Sequence, residues 1–407
     1  MLSKGVSGMG FHHQTIDADP PCGRLGSCEV TDLTGNGRPD VVVTGMGAVP
    51  TISIADKEIN VRKLPVLGEL YARTETYAFW YENPGWERHD ITSESNLHLD
   101  VGATLYDIDG DGRTDLLAGQ GYAHNDVYWF QQPADPRDEW TKRLVTDRFQ
   151  KYHDLAVGDV DNDGAPELVG LSQRSASVFY YDIPDDPTVE PWPDDHCTVV
   201  DDDNAVEGIY IGDVDGDGAN ELLAGTSLYR LEDGRWTREQ FAAGWDDVRV
   251  AVGDVDGDGR PEVVLSEGDS PKYGTHPGRV GWFDPHTWEE HVVAEGLYCP
   301  HSLQLADFTG DGTQDIFVGE MGLGENDLPT HYVFSHVGDG KFESQTVSQG
   351  IPTHEAKAVD LDGDGRVDVV GKSYEPNARV DAWLNPVEAD VEETERADST
   401  SRQSATD

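Results

Sequence analysis

Short apolar runs recur along the chain at a nearly regular interval, each set broken by a polar nine-residue turn. An alternating run comes first, as in "LAVGDV" (155–160) and "RVAVGDV" (249–255). After the turn comes a compact run such as "ELLAG" (221–225) or "EVVLS" (262–266). An aromatic segment follows, as in "AFWYENP" (78–84), "VYWFQQP" (127–133) and "VDAWLNP" (380–386). The set ends with a segment opened by an aromatic residue, as in "WERHDI" (86–91) and "WTREQF" (236–241). These segments are too short for helices and rich in β-branched and aromatic residues, so each predicts a strand. Four short strands per repeat is the content of a propeller blade.

The turns give the count. They read "DLTGNGRPD" (32–40), "DIDGDGRTD" (107–115), "DVDNDGAPE" (159–167), "DVDGDGANE" (213–221), "DVDGDGRPE" (254–262), "DFTGDGTQD" (307–315) and "DLDGDGRVD" (360–368). Successive copies lie 41 to 54 residues apart, with one gap of 75. That period predicts an all-β array or propeller, here with seven blades. The last copy stops after its third strand, and a lone strand, "FHHQTI" (11–16), precedes the first copy. The N-terminal strand is expected to complete the seventh blade, which closes the ring and removes open edges. The propeller is placed at residues 11–387, after an extension over 1–10 and with an insertion over 46–74. The acidic tail, 388–407, lacks apolar periodicity and is expected to be disordered.

Each turn offers oxygen ligands at positions 1, 3, 5 and 9, with glycine at position 6 where the backbone must bend sharply. Hard oxygens at this density suit Ca²⁺. The full sets are Asp107, Asp109, Asp111 and Asp115; Asp159, Asp161, Asp163 and Glu167; Asp213, Asp215, Asp217 and Glu221; Asp254, Asp256, Asp258 and Glu262; and Asp360, Asp362, Asp364 and Asp368. Weaker sets are Asp32, Thr34, Asn36 and Asp40, and Asp307, Thr309, Asp311 and Asp315. Several structural calcium ions are therefore expected. These turns resemble the FG-GAP or VCBS repeat, which implies a seven-bladed propeller with calcium at the turns and leaves function open.

Composition adds a second layer. The 407 residues include 79 acidic and 29 basic ones, for a net charge of −50. That balance argues against nucleic acid or an anionic membrane as partner. It resembles the acidic, lysine-poor surfaces of halophilic proteins, where salt screens self-repulsion within about 3 Å at 1 M. Four cysteines without a CxxC pair exclude a disulfide scaffold. The start "MLSKGVSGMGFHH" has no apolar core, so a soluble, cytoplasmic protein is expected.

The repeat also serves as a ruler. Six residues before the first Asp of each turn stand Gly26, Val101, His153, Glu207, Val248, His301 and His354. The inner strands of a propeller line its axis, so these positions converge at one end of the channel. His153, Glu207, His301 and His354 therefore predict a second, different metal site, zinc first, with Mn²⁺, Fe²⁺ or Ni²⁺ as alternatives. His98 falls out of phase, and Cys299 reads as a buried thiol before a soft ligand. Glu320, Glu267 and Tyr298 lie on the same face and are candidate catalytic bases. Tyr122, Tyr273 and Tyr374 share that face.

The stretches "CPHSLQLADFTGDGTQDIFVGEMG" (299–322), "THEAKAVDLDGDGRVDVVGKSY" (353–374) and "VDAWLNP" resemble the propeller domain of aldos-2-ulose dehydratase (1,5-anhydrofructose dehydratase). The resemblance spans about residues 10 to 386 and implies His301 and His354 as zinc ligands. It implies a hydro-lyase acting on a small keto-sugar, without the further cupin or lectin-like domain of that family. Polysaccharide lyases on similar propellers are a neighbouring possibility, disfavoured by the missing secretion signal. The alternative of another class is a non-catalytic, calcium-stabilised propeller that binds carbohydrate or protein.

Overall fold

The computed structural model describes residues 10–48, 51–54, 57–61, 64, 66, 75–121, 124–269, 275–323, 326–374 and 377–386. Within them the chain forms seven antiparallel four-stranded sheets and one extra hairpin, Thr51–Ile54 with Lys57–Asn60. The hairpin falls in the insertion expected over 46–74. The expected tail lies outside the described residues. A short 3-10 turn, Asp194–His196, precedes the fourth strand of the third blade. No helix among the described residues is long and apolar enough to cross a membrane.

Six sheets are built from consecutive strands, and the seventh is not. Its order is His12–Asp17, Val380–Leu384, Asp368–Lys372 and Glu355–Val359. His13 stands opposite Trp383, and His12 opposite Leu384. The first strand thus closes the last blade, as the chain ends predict. Inner strands of successive blades pack around the ring, and Leu25–Thr31 meets Glu355–Val359 to complete it.

Burial explains why the strands read differently. Second strands such as Asp40–Gly45 and Asp115–Gln120 are buried along their whole length. Both of their faces are covered by neighbouring blades, so the sequence runs apolar without alternation. Third strands fill the space between blades with large rings, among them Trp80, Trp129 and Trp383, all essentially inaccessible. Fourth strands such as Arg235–Gln240 form the rim; they are mostly exposed and carry charge, which blunts the open edge.

The turns pin one blade to the next. Position 6 is glycine throughout, with φ between 85° and 93°, a region costly for any residue with a Cβ. The closing carboxylate is buried and accepts the N–H of position 2, as Asp115 does from Ile108 (3.2 Å) and Glu167 from Val160 (2.9 Å). Three Asn or Gln side chains at the ends of third strands reach across to the neighbouring turn. Asn83 donates to the Leu361 carbonyl (2.7 Å), Gln132 to Leu33 (3.1 Å) and Asn385 to Phe308 (2.8 Å). The nine-residue turns and the blade contacts therefore share one end of the ring.

Candidate metal centre at the channel mouth

The opposite end holds a different constellation. His153 and His301 lie in the first turns of inner strands Tyr152–Gly158 and Pro300–Ala306. Glu207 and His354 sit just before Ile209–Gly212 and Glu355–Val359. All four are less than a tenth exposed. Neighbouring inner strands converge toward the axis, so residues far apart in sequence meet there.

His153, Glu207 and His301 bring one donor atom each within 4.8 Å of the others. His153 Nε2 lies 3.3 Å from Glu207 Oε2, and His301 Nε2 lies 3.8 Å from the same oxygen. For bonds of about 2.0 Å, the edge of a tetrahedral site is about 3.3 Å. Glu207 Oε2 is buried and has no hydrogen-bond partner among the described residues. Its other oxygen accepts from Gln173 Nε2 (2.8 Å). An orphaned, buried carboxylate oxygen facing two imidazole nitrogens is the donor set of a borderline divalent cation.

The ring tautomers agree with this. His153 Nδ1 donates to Asp154 Oδ2 (2.8 Å), and Asp154 is held by Arg249 Nη2 (3.0 Å). His301 Nδ1 donates to the backbone carbonyl of His354 (2.7 Å). In the neutral rings both Nε2 atoms then present lone pairs to Glu207. Burial opposes an imidazolium at His153, but Glu207 and Asp154 outweigh it and raise its pKa above the ordinary value. A proton on His153 is thus the competitor of a metal. Burial, reinforced by the Arg249 guanidinium, holds His301 well below the ordinary histidine range. Burial also raises Asp154, but Arg249 and His153 pull it below the usual carboxylate range.

A cavity of about 270 Å³ opens above the cluster. His153, Glu207, His301 and His354 line it, with Asp247 and Asp269 from blade five on one part of the wall and Asp100, Arg24 and Tyr374 from blades two, one and seven on another. Burial, then the charge of Glu207, pushes both Asp269 and Asp247 upward. Asp100 Oδ2 is a second buried oxygen without a hydrogen-bond partner among the described residues.

The other sequence candidates fall elsewhere. His354 faces the cavity but stands outside the three-residue donor cluster. Both oxygens of Glu320 are taken, by the N–H groups of Tyr298 (2.7 Å) and Thr330 (2.8 Å) and by Asn326 Nδ2 (2.8 Å). Glu267 accepts from the Arg279 backbone (3.1 Å) and guanidinium (3.4 Å). Second strands lie one layer outside the inner ones, so their ends share the face but not the cavity. Tyr298 is half-buried and contributes its backbone N–H to Glu320. Tyr374 reaches the cavity, whereas Tyr122 and Tyr273 lie outside the described residues. His98 is engaged by the Met46 carbonyl (2.9 Å) and Asn96 (2.6 Å). Cys299 is buried, and its carbonyl accepts from His301 and Met321.

Sequence reasoning missed Asp100, Asp154, Asp247, Asp269 and Arg249. Asp154 follows a phase position directly, and Arg249 follows Val248, so one further step of the same ruler finds both. One step the other way finds Asp100 and Asp247, before Val101 and Val248, whereas Asp269 comes from a loop that no repeat constrains.

In the turns, positions 1, 3 and 9 converge within 4.8 Å in blades two to five, as with Asp107, Asp109 and Asp115. Position 5 is not part of these clusters; it accepts the N–H of position 7, as Asp111 does from Arg113 (2.9 Å).

Three stretches, residues 107–170, 213–265 and 307–371, match the FG-GAP-like repeat family. No curated protein sequence is significantly similar to the chain. Among solved structures, BBS1N in complex with ARL6DN superposes with a TM-score of 0.51 at 12% identity, covering 94% of this chain and 99% of that one. The biofilm matrix protein Bap1 of V. cholerae gives 0.53 at 12% identity, covering 93% and 92%. At that identity the likeness is one of fold alone. Seven closed sheets make this chain a seven-bladed propeller, and three of its stretches match FG-GAP-like repeats.

Proposed function

We propose that the protein is a metal-dependent carbon–oxygen lyase acting on a small polyhydroxylated keto compound at the channel mouth. The observation that supports this best is the orphaned Glu207 Oε2, buried between His153 Nε2 and His301 Nε2. A divalent ion held by these three residues would polarise a keto oxygen and acidify the adjacent C–H. Asp269 and Asp247, on the wall of the same cavity, would take that proton, and the β-hydroxyl would leave with it as water. Arg24 supplies a cationic donor to orient hydroxyl or keto oxygens from the other part of the wall. The cavity volume fits one small molecule, and the resemblance to aldos-2-ulose dehydratase points to keto-sugars such as 1,5-anhydrofructose. The test is turnover of 1,5-anhydrofructose by zinc-loaded and chelator-stripped protein, following the enone product. Elimination restored by Zn²⁺, and lost in Asp269→Asn, supports the reading. Zinc-loaded protein that leaves the keto-sugar unchanged overturns it.

The turns, on this reading, hold structural calcium. Their support is the convergence of three carboxylates in each of several copies, which repel one another unless a cation lies between them. The acidic remainder of the surface fits a salt-rich cytoplasm, so added KCl is expected to raise the melting temperature.

A further inference from the structure

We infer that His354 is not a metal ligand but a fixed hydrogen-bond donor, presenting Nε2–H to an oxygen of the molecule bound above the metal. The inference rests on the metal reading of the same site.

Three observations carry it. The first is the stacking of the rings. His301 and His354 lie face to face, with centroids 4.0 Å apart and planes 19° from parallel. A ligating nitrogen directs its lone pair in the plane of its ring. Two nearly parallel planes at this separation cannot both aim at an ion about 2.0 Å away. Only one of the two rings can coordinate, and His301 is the one grouped with His153 and Glu207.

The second is the tautomer. Lys372 Nζ is hydrogen-bonded to His354 Nδ1. Lys372 is fully buried and also donates to the Leu25 carbonyl (3.4 Å). Burial pushes Lys372 down to about 8, so at neutral pH it is mainly an ammonium, which has donors and no acceptor, and Nδ1 accepts. A neutral imidazole that accepts at Nδ1 carries its proton at Nε2. His153 and His301 are set the opposite way, since their Nδ1 atoms face a carboxylate and a carbonyl. Two histidines are therefore poised to give lone pairs and the third to give a proton. Burial, reinforced by Lys372, keeps His354 far below the ordinary histidine range, which preserves the neutral ring. A neutral imidazole N–H is a known means of polarising a substrate carbonyl.

The third is immobility. Tyr374 stacks on the other face of His354 at 4.7 Å and 19°. The ring is held between two neighbours and still lines the cavity. The backbone of residue 354 meanwhile orients His301, so a side-chain substitution leaves that hydrogen bond intact.

The experiment uses full-length protein labelled with [¹⁵N]histidine, together with Zn²⁺ titration. In zinc-loaded wild type, His354 is expected to show a protonated Nε2 and an unprotonated Nδ1, with the reverse in His153 and His301. His354→Gln identifies the signal and should keep one Zn²⁺ per chain at an affinity within about threefold. His301→Gln should lose more than about 100-fold, beyond what an outer-shell change costs. Lys372→Met should leave His354 in a mixture of tautomers. A protonated Nδ1 at His354 in wild type, or zinc loss in a folded His354→Gln matching that of His301→Gln, overturns the inference. Wild type that takes up no Zn²⁺ overturns the metal reading instead, and the nitrogen shifts still decide the role of His354.

Discussion

The two ends of this propeller are built on opposite rules. At one end the same turn is written seven times, each copy local to nine residues, and each closing carboxylate is bonded within its own loop. At the other end the donor set is written once, its members drawn from different blades, and its key oxygen is left unbonded. Repetition marks what the ring needs in order to stand. On the proposed reading, a break in the repeat at the same phase marks what the ring is used for.

Withdrawing calcium should produce the largest difference between the ends. If each of five full turns is saturated at about 100 times its Kd, each contributes about 2.7 kcal/mol. Addition of EGTA should then lower the melting temperature by on the order of 10 °C or more, measured by calorimetry. Calorimetry that shows the same transition with and without EGTA would mean the turns hold no cation that matters.

Single carboxylates should follow the same division. Glu167→Ala leaves the buried N–H of Val160 without its acceptor and should cost about 1–3 kcal/mol in urea unfolding. Glu207→Gln removes a buried charge whose Oε2 makes no hydrogen bond among the described residues and has Arg249 Nη1 at 4.0 Å and His153 Nε2 at 3.3 Å as ionic neighbours, and should cost the metal-free protein less than Glu167→Ala does. Equal destabilisation by both would erase the distinction.

Asp154→Asn weakens the hold on His153 Nδ1 without touching a donor atom, and should lower Zn²⁺ affinity by about 10- to 100-fold in a competition titration. An unchanged affinity would mean His153 needs no support.

The turns should also show themselves in the pH dependence. Burial is the main reason that Asp40, Asp115 and Asp368 are pushed up to about 6, and Glu167 and Glu262 to about 7. Between about pH 4 and 7 the folded, calcium-free protein therefore binds more protons than the unfolded chain. Its stability should rise as pH falls through that window and be lost as pH rises through the folded values. Calcium, by replacing those protons, should flatten or reverse the slope; parallel denaturation curves with and without calcium would contradict this.

The smallest effect belongs to the second-strand ends. Glu320→Gln and Glu267→Gln should change Zn²⁺ affinity by less than about twofold, since both side chains are occupied within their own loops.

How far the sequence led depends on which of the two rules was in force. Seven blades, the strand order and the N-terminal seam were all legible, because each blade repeats the same strand chemistry around the same turn. His153, Glu207 and His301 were legible because inner strands share one phase. The donor role proposed for His354 was not, since phase fixes where a ring stands but not which nitrogen carries its proton; that depends on Lys372, a residue of the next strand. The catalytic reading of Glu320 and Glu267 followed the face of the ring, whereas access to the cavity is decided by the layer. Asp269 arises from a loop without repeat partners, so no pattern could have aligned it with the cluster, whereas Asp247 stands one step from the phase position Val248.

Metal analysis of wild type beside Glu207→Gln tests the central claim most directly, with both purified without chelator and dialysed against calcium. The expected result is about one transition metal per chain in wild type and none in the variant, with the same calcium content in both. Equal transition-metal content in the two proteins, or calcium alone in wild type, would contradict a metal centre at the channel mouth.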